Sequence, residues 1–143
     1  MPTAFFTPFE EHQIVTAIRE SEALTSAEIR VHVHESLSEN PQMEAIHTFQ
    51  ALGMDKTALR NGVLFFVAPY HKYFVVLGDK GINEKVPDGF WNDVKDIVIK
   101  NFRHGDIANG LCEGICIAGE QLKLHFPIST NDKDELPNTI SYK

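Results

Sequence analysis

Gly62–Gly78 reads GVLFFVAPYHKYFVVLG, two apolar runs separated by a short break at Pro69–His71. The first run, GVLFFVA, has no polar position at all. That is the pattern of a strand covered on both faces. The second, KYFVVLG from Lys72 to Gly78, is a further strand, and the brevity of the break makes the pair a hairpin. Upstream, Glu28–Glu35 (EIRVHVHE) alternates strictly. Ile29, Val31 and Val33 point one way, and Arg30, His32 and His34 the other. The pattern predicts a strand with one face on a core and the histidine face half-exposed.

A helical segment separates these strands. Asn40-Pro41 is a cap followed by proline at the first turn. Met43, Ile46, Phe49 and Leu52 then recur at helical spacing, and Gly53 ends the helix. A strand–helix–strand unit joins parallel strands by a right-handed crossover. The hairpin adds an antiparallel third strand, so the sheet is mixed.

The remaining elements are helices. Thr7-Pro8 followed by Glu10 and Glu11 starts one that ends near Leu24. Another is expected from Pro87 or Asp88, with Asp88 as its N-cap, to Arg103. A last one is expected from Ile107 to His125, capped by Asp106. Its Gly110 and Gly114 predict a close helix contact. The tail from Ile128, ISTNDKDELPNTISYK, is polar, with a short strand or docked segment expected around Thr139–Tyr142. The fold class is α/β, a three-layer αβα sandwich around a small mixed β-sheet. One domain is expected over residues 1–126, with residues 127–143 as a tail.

The totals fit this reading. The chain has 143 residues, 43 % of them hydrophobic and 23 % charged, with a formal net charge of −7. That balance disfavours a nucleic-acid backbone or an anionic membrane as partner and leaves cations open. No apolar run approaches the roughly 20 residues of a membrane span. The start, MPTAFFTPFEEHQ, has neither the basic nor the apolar region of a secretion signal. The expected compartment is the cytoplasm. Cys112 and Cys116, at i, i+4 on a helix, read as small buried hydrophobes and not as a zinc pair.

Topology then brings distant acids together. The starts of the first two strands and the end of the third share one edge of the sheet. Glu28, Asp55, Asn61 and Asp79 fall there, and Glu84 and Asp88 follow in the loop Asp79–Gly89. Clustered carboxylates repel unless solvated or neutralised by a cation. Calcium favours such oxygen donors, and magnesium accepts them. No EF-hand spacing is present. A solvated acidic loop is the competing reading. Arg60 is placed either to clamp a phosphate or to pair with Asp79. Two imidazoles, His32 and His34, could hold a transition metal, but no third ligand stands near in sequence.

Four stretches resemble the TPM domain: LTSAEIRVHV, GMDKTALRNGVLFFVAP, YFVVLGDKGI and FRHGD, the last spanning Phe102–Asp106. That family is named for a thylakoid lumen protein, a photosystem II repair factor and a modulator of a nematode acetylcholine receptor. The resemblance runs from about Phe9 to Phe126. It implies an αβα sandwich and a metal-dependent phosphatase activity built on acidic residues around a divalent cation. Many relatives carry Gly-Tyr-Gly-Leu-Glu after the third strand, where this chain has Gly78-Asp79-Lys80-Gly81-Ile82. The acid is displaced, so the catalytic assignment does not transfer directly.

The expected function is therefore a stand-alone TPM domain that binds divalent cations, calcium foremost, as a regulatory or binding module. Its metal ligands would be drawn from Asp79, Asp88, Glu84, Asp55, Asn61 and Glu28. The alternatives are a weak metal-dependent phosphatase, with Arg60 on the phosphate, and a metal-independent protein-interaction scaffold.

Overall fold

The computed structural model describes residues 5–128 and 135–143. The elements run α1 (Pro8–Glu22), β1 (Glu28–Val33), α2 (Pro41–Ala51), β2 (Gly62–Ala68), β3 (Tyr73–Gly78), α3 (Lys80–Lys85), α4 (Asn92–Arg103), α5 (Ile107–Leu122) and β4 (Ser141–Tyr142). The sheet order is β3-β2-β1-β4. β1 runs parallel to β2 and β4, and β3 runs antiparallel to β2. This is the expected three-layer αβα sandwich on a mixed sheet.

The apolar run Gly62–Ala68 is buried at every position, which explains why it alternates nowhere. Val63, Phe65 and Val67 face α1, α4 and α5, while Leu64, Phe66 and Ala68 face α2. Phe65 and Phe66 are both fully buried, and burial of a side chain of that size stabilises by roughly 1.5–3 kcal/mol.

Local chemistry sets the helix ends. Thr7 Oγ1 accepts from the Glu10 N–H at 3.1 Å, and Glu10 Oε1 accepts from the Thr7 N–H at 3.0 Å. This reciprocal cap contributes about 1 kcal/mol. α4 and α5 pack closely, as Gly110 and Gly114 suggested: a Cβ at Gly114 would lie 2.5 Å from Val98 Cγ2.

Three expectations are corrected. The acid loop is not wholly a loop, because Lys80–Lys85 forms the short helix α3, with Asp79 at its start and Ile82 in the core. The next helix begins at Asn92, not at Pro87 or Asp88. Gly89, at φ +77°, turns the chain there, and the Asn92 N–H bonds the Gly89 carbonyl at 3.0 Å. Asp88 therefore caps nothing. Cys116 is exposed and Cys112 half-buried, and burial pushes the Cys112 thiol up to about 11.

Candidate functional site

The predicted edge exists. Glu28 lies opposite Gly62, and Val63 opposite Gly78. Backbone bonds stitch the loops together: Glu28 N–H to Asn61 O at 3.1 Å, Asp79 N–H to Gly62 O at 2.9 Å, and Gly81 N–H to Arg60 O at 2.9 Å. Only glycine fits at position 81, since a Cβ there would sit 2.2 Å from the Leu59 carbonyl oxygen. Arg60 adopts a left-handed φ of +51°, a conformation that costs a non-glycine residue roughly 1–2 kcal/mol.

That strained residue makes the central ion pair of the rim. Arg60 Nε donates to Asp79 Oδ2 at 2.7 Å, and Nη2 donates to Oδ1 at 3.0 Å. Asp79 is buried, while the Arg60 side chain is 46 % exposed. Asp79 Oδ1 also accepts from the Lys80 N–H at 2.8 Å. Asp79, by hydrogen bond and charge, and Asp55 more weakly, push the Arg60 guanidinium above its ordinary value. Of the two readings of Arg60, the structure has the ion pair with Asp79.

With Asp79 paired to Arg60, the other five site candidates divide into two groups. Glu84 and Asp88 are exposed. Glu84 lies 3.9 Å from Lys80 across one helical turn. These two stand away from the buried corner. Glu28 and Asn61 are buried there, and Asp55 is half-buried in the turn Met54–Lys56. The Asn61 N–H donates to Thr57 Oγ1 at 3.1 Å, and its Nδ2 donates to the Ser26 carbonyl at 2.8 Å. Asn61 Oδ1 is buried with no hydrogen-bond partner among the described residues, and so is Asp55 Oδ1. Among the described residues no three His, Cys, Asp or Glu side chains cluster closely enough to hold a metal by themselves.

Sequence reasoning missed the tail at this corner. Glu28 Oε1 accepts from the backbone N–H of Glu135 and, at 2.8 Å, of Leu136. The Glu135 carboxylate in turn accepts from the Ala58 N–H at 3.2 Å. Leu136 is buried against the α2 face. Leu136, set among polar residues, was the signal at this point of the tail.

It also misjudged the histidine face of β1. His32 and His34 are each 2 % exposed, because α2 covers that face. Phe66 stacks on the His32 ring with centroids 5.6 Å apart. A hydrogen-bonded chain runs from Ser141 Oγ to His32 Nδ1 (2.6 Å), from His32 Nε2 to His34 Nδ1 (3.0 Å), and from His34 Nε2 to Glu44 Oε1 (2.8 Å). Glu44 Oε2 accepts from the Glu39 N–H at 3.1 Å. Every ring nitrogen of the two imidazoles therefore has a hydrogen-bond partner inside the chain. Burial, then the charges of His34, Arg30 and Lys143, hold the His32 imidazole down to about 3. His34, by hydrogen bond and charge, and the Ser38 backbone and hydroxyl keep the Glu44 carboxyl below its usual range despite burial. The chain ties α2, β1 and β4 into one unit.

Comparison with known proteins accords with this architecture. The sequence profile of the TPM domain matches residues 2–120. The NMR structure of BA42 protein from the psychrophilic bacterium Bizionia argentinensis is similar over 98 % of this chain and 97 % of its own, with 45 % identity and a TM-score of 0.93. The N-terminal domain of cg2496 protein from Corynebacterium glutamicum shares the fold at 14 % identity, with a TM-score of 0.66 over 96 % of this chain and 81 % of that one. The N-terminal domain of a P. gingivalis protein does so at 22 % identity, with a TM-score of 0.67 over 88 % and 83 %. No curated protein matches the chain. Among the described residues no helix is long and apolar enough to cross a membrane.

Proposed function

The chain belongs to the TPM domain family, and from that premise we propose that it is a binding module controlled by a divalent cation, calcium foremost and magnesium second. The observation that carries the reading is two buried oxygens with no donor among the described residues, Asp55 Oδ1 and Asn61 Oδ1. A buried acceptor without a donor costs about 1–3 kcal/mol, and a hard cation supplies what both lack. Calcium takes carboxylate, amide and backbone oxygens together with water, so two or three side chains and nearby carbonyls suffice. Asp55 and Asn61 would be the ligands, with Glu28, opposite Gly62 on β1, as a third candidate.

Asp79 has a different part in this reading. Its carboxylate is spent on Arg60 and on the start of α3, so it fixes the loop that the cation site leans on. Glu84 and Asp88 would attract the ion through long-range charge alone. The enzymatic alternative, phosphate held by Arg60 next to a metal, has less support, because Nε and Nη2 of Arg60 already face Asp79.

The test is an amide-resolved NMR titration of chelator-treated protein with calcium, then magnesium. Shifts are expected at residues 54–61 and 26–28. Asp55→Asn with Asn61→Leu should weaken binding at least tenfold, while Asp88→Asn should leave it unchanged. Absence of any shift at millimolar calcium, or equal binding by the double variant, refutes the site.

A further inference from the structure

β3 is an edge strand, and its outer side is open. The Asp79 N–H bonds the Gly62 carbonyl, which fixes the phase of the ladder. Leu77, Val75 and Tyr73 are then the residues bonded to β2, and Phe74, Val76 and Gly78 turn their backbone groups outward. Asn83 Nδ2 covers the Gly78 carbonyl at 3.0 Å. Among the described residues nothing bonds the outward groups of Phe74 and Val76. The strand YFVVLG carries no charge, proline or bulge, the devices by which edges are usually blunted.

Grooves flank this edge on both faces. On the α4 side, Phe74, Ile99, Phe102 and Ile107 line a hollow of about 710 Å³, with Lys72 and Arg103 at its margin. On the α2 side, Ile46, Phe49 and Leu77 line a second of about 530 Å³. Successive side chains of an added strand point to opposite faces, so one strand would use both grooves. Lys72 and Arg103 form no ion pair among the described residues, although the chain carries a net charge of −7. They stand at the Tyr73 end of β3. A strand added antiparallel to β3 brings its C-terminal end there.

We propose that the β3 edge is a strand-addition site for an extended peptide segment that ends in an apolar residue with a free carboxylate. Outward groups of Phe74 and Val76 bond the peptide backbone. The terminal apolar side chain fills the Phe74–Ile99–Phe102–Ile107 hollow, and the carboxylate meets Lys72 and Arg103. The next side chain falls on the α2 face.

The experiment titrates the isotope-labelled full chain with an N-acetylated six-residue peptide of alternating Val and Thr, ending in Phe with a free carboxylate. Expected are shifts at residues 73–78 and 99–107, and slowed hydrogen exchange at the Phe74 and Val76 amides. Amidation of the peptide terminus, or Lys72→Glu with Arg103→Glu, should weaken binding about tenfold. Both side chains are exposed, and the variant's unchanged spectrum elsewhere certifies its fold. The proposal is overturned if millimolar peptide moves nothing in β3. It fails equally if the amide binds as well as the acid. Protection of Phe74 and Val76 before any peptide is added, in a chain that sediments as a dimer, would mean that a second copy already fills the edge, and would overturn it too.

Discussion

Mild acid should act on this protein through one residue before any other. In the folded chain the His32 imidazole lies near 3, against an ordinary 6.5. Because the folded value is depressed, the unfolded chain takes up the proton first. The stability at stake is fully present above pH 6.5 and is lost as pH falls through the interval toward 3. Integrated from pH 7 to pH 5, the His32 contribution drops by about 2 kcal/mol, with a slope near pH 5 of roughly 1.3 kcal/mol per unit. The Glu44 carboxyl, also depressed, works in the same direction but only at lower pH, below its ordinary 4.5. Urea unfolding followed through the fluorescence of Trp91, the only tryptophan, measures the free energy at half-unit steps of pH. His32→Leu lowers stability at every pH, since it removes two hydrogen bonds of the chain, but it should flatten the slope between pH 7 and 5. Groups outside the hydrogen-bonded chain titrate alike in both proteins and cancel in the difference. Parallel profiles for the two proteins would refute the assignment. So would an imidazole nitrogen shift showing His32 charged at pH 5.

Other perturbations probe the rim. Gly81→Ala drives a methyl into the Leu59 and Arg60 carbonyls, and should cost about 1–3 kcal/mol, read by urea unfolding; a neutral result would mean that α3 shifts freely. Glu28→Ala removes the acceptor of the Glu135 and Leu136 N–H groups, and hydrogen exchange at Leu136 and Ile140 should accelerate while β2 stays protected. Phe65→Ala, at a fully buried site between β3 and α5, should cost about 3–5 kcal/mol. Saturating calcium should raise the melting temperature of the wild type, adding about 2.7 kcal/mol at a hundred times Kd, and EDTA should reverse it.

The fold was legible because its signals are local and mutually consistent. GVLFFVA has no polar position to spare for a solvent face, and the crossover helix with its Asn40-Pro41 start leaves parallel pairing of β1 and β2 as the outcome. The meeting of the Arg60 and Asp79 loops followed from topology alone. What stayed hidden was long-range and polar. Alternation in EIRVHVHE shows that two faces differ, not that the polar one is exposed. Three polar side chains become inexpensive to bury once they bond one another, and the partner that makes this so, Glu44, comes from a different element. No pattern within β1 could announce it. The same logic separates the rim acids. Asp79, Glu84 and Asp88 looked like one set because they are close in sequence, yet the structure buries Asp79 against Arg60 and leaves the other two in water. Glu28 and Asn61, far apart in sequence, are both buried at the sheet edge, joined by the bond from the Glu28 N–H to the Asn61 carbonyl. Density of carboxylates along a chain measures local repulsion. The proposed cation site rests instead on oxygens left without donors, and among the described residues Asp55 Oδ1 and Asn61 Oδ1 are two of these.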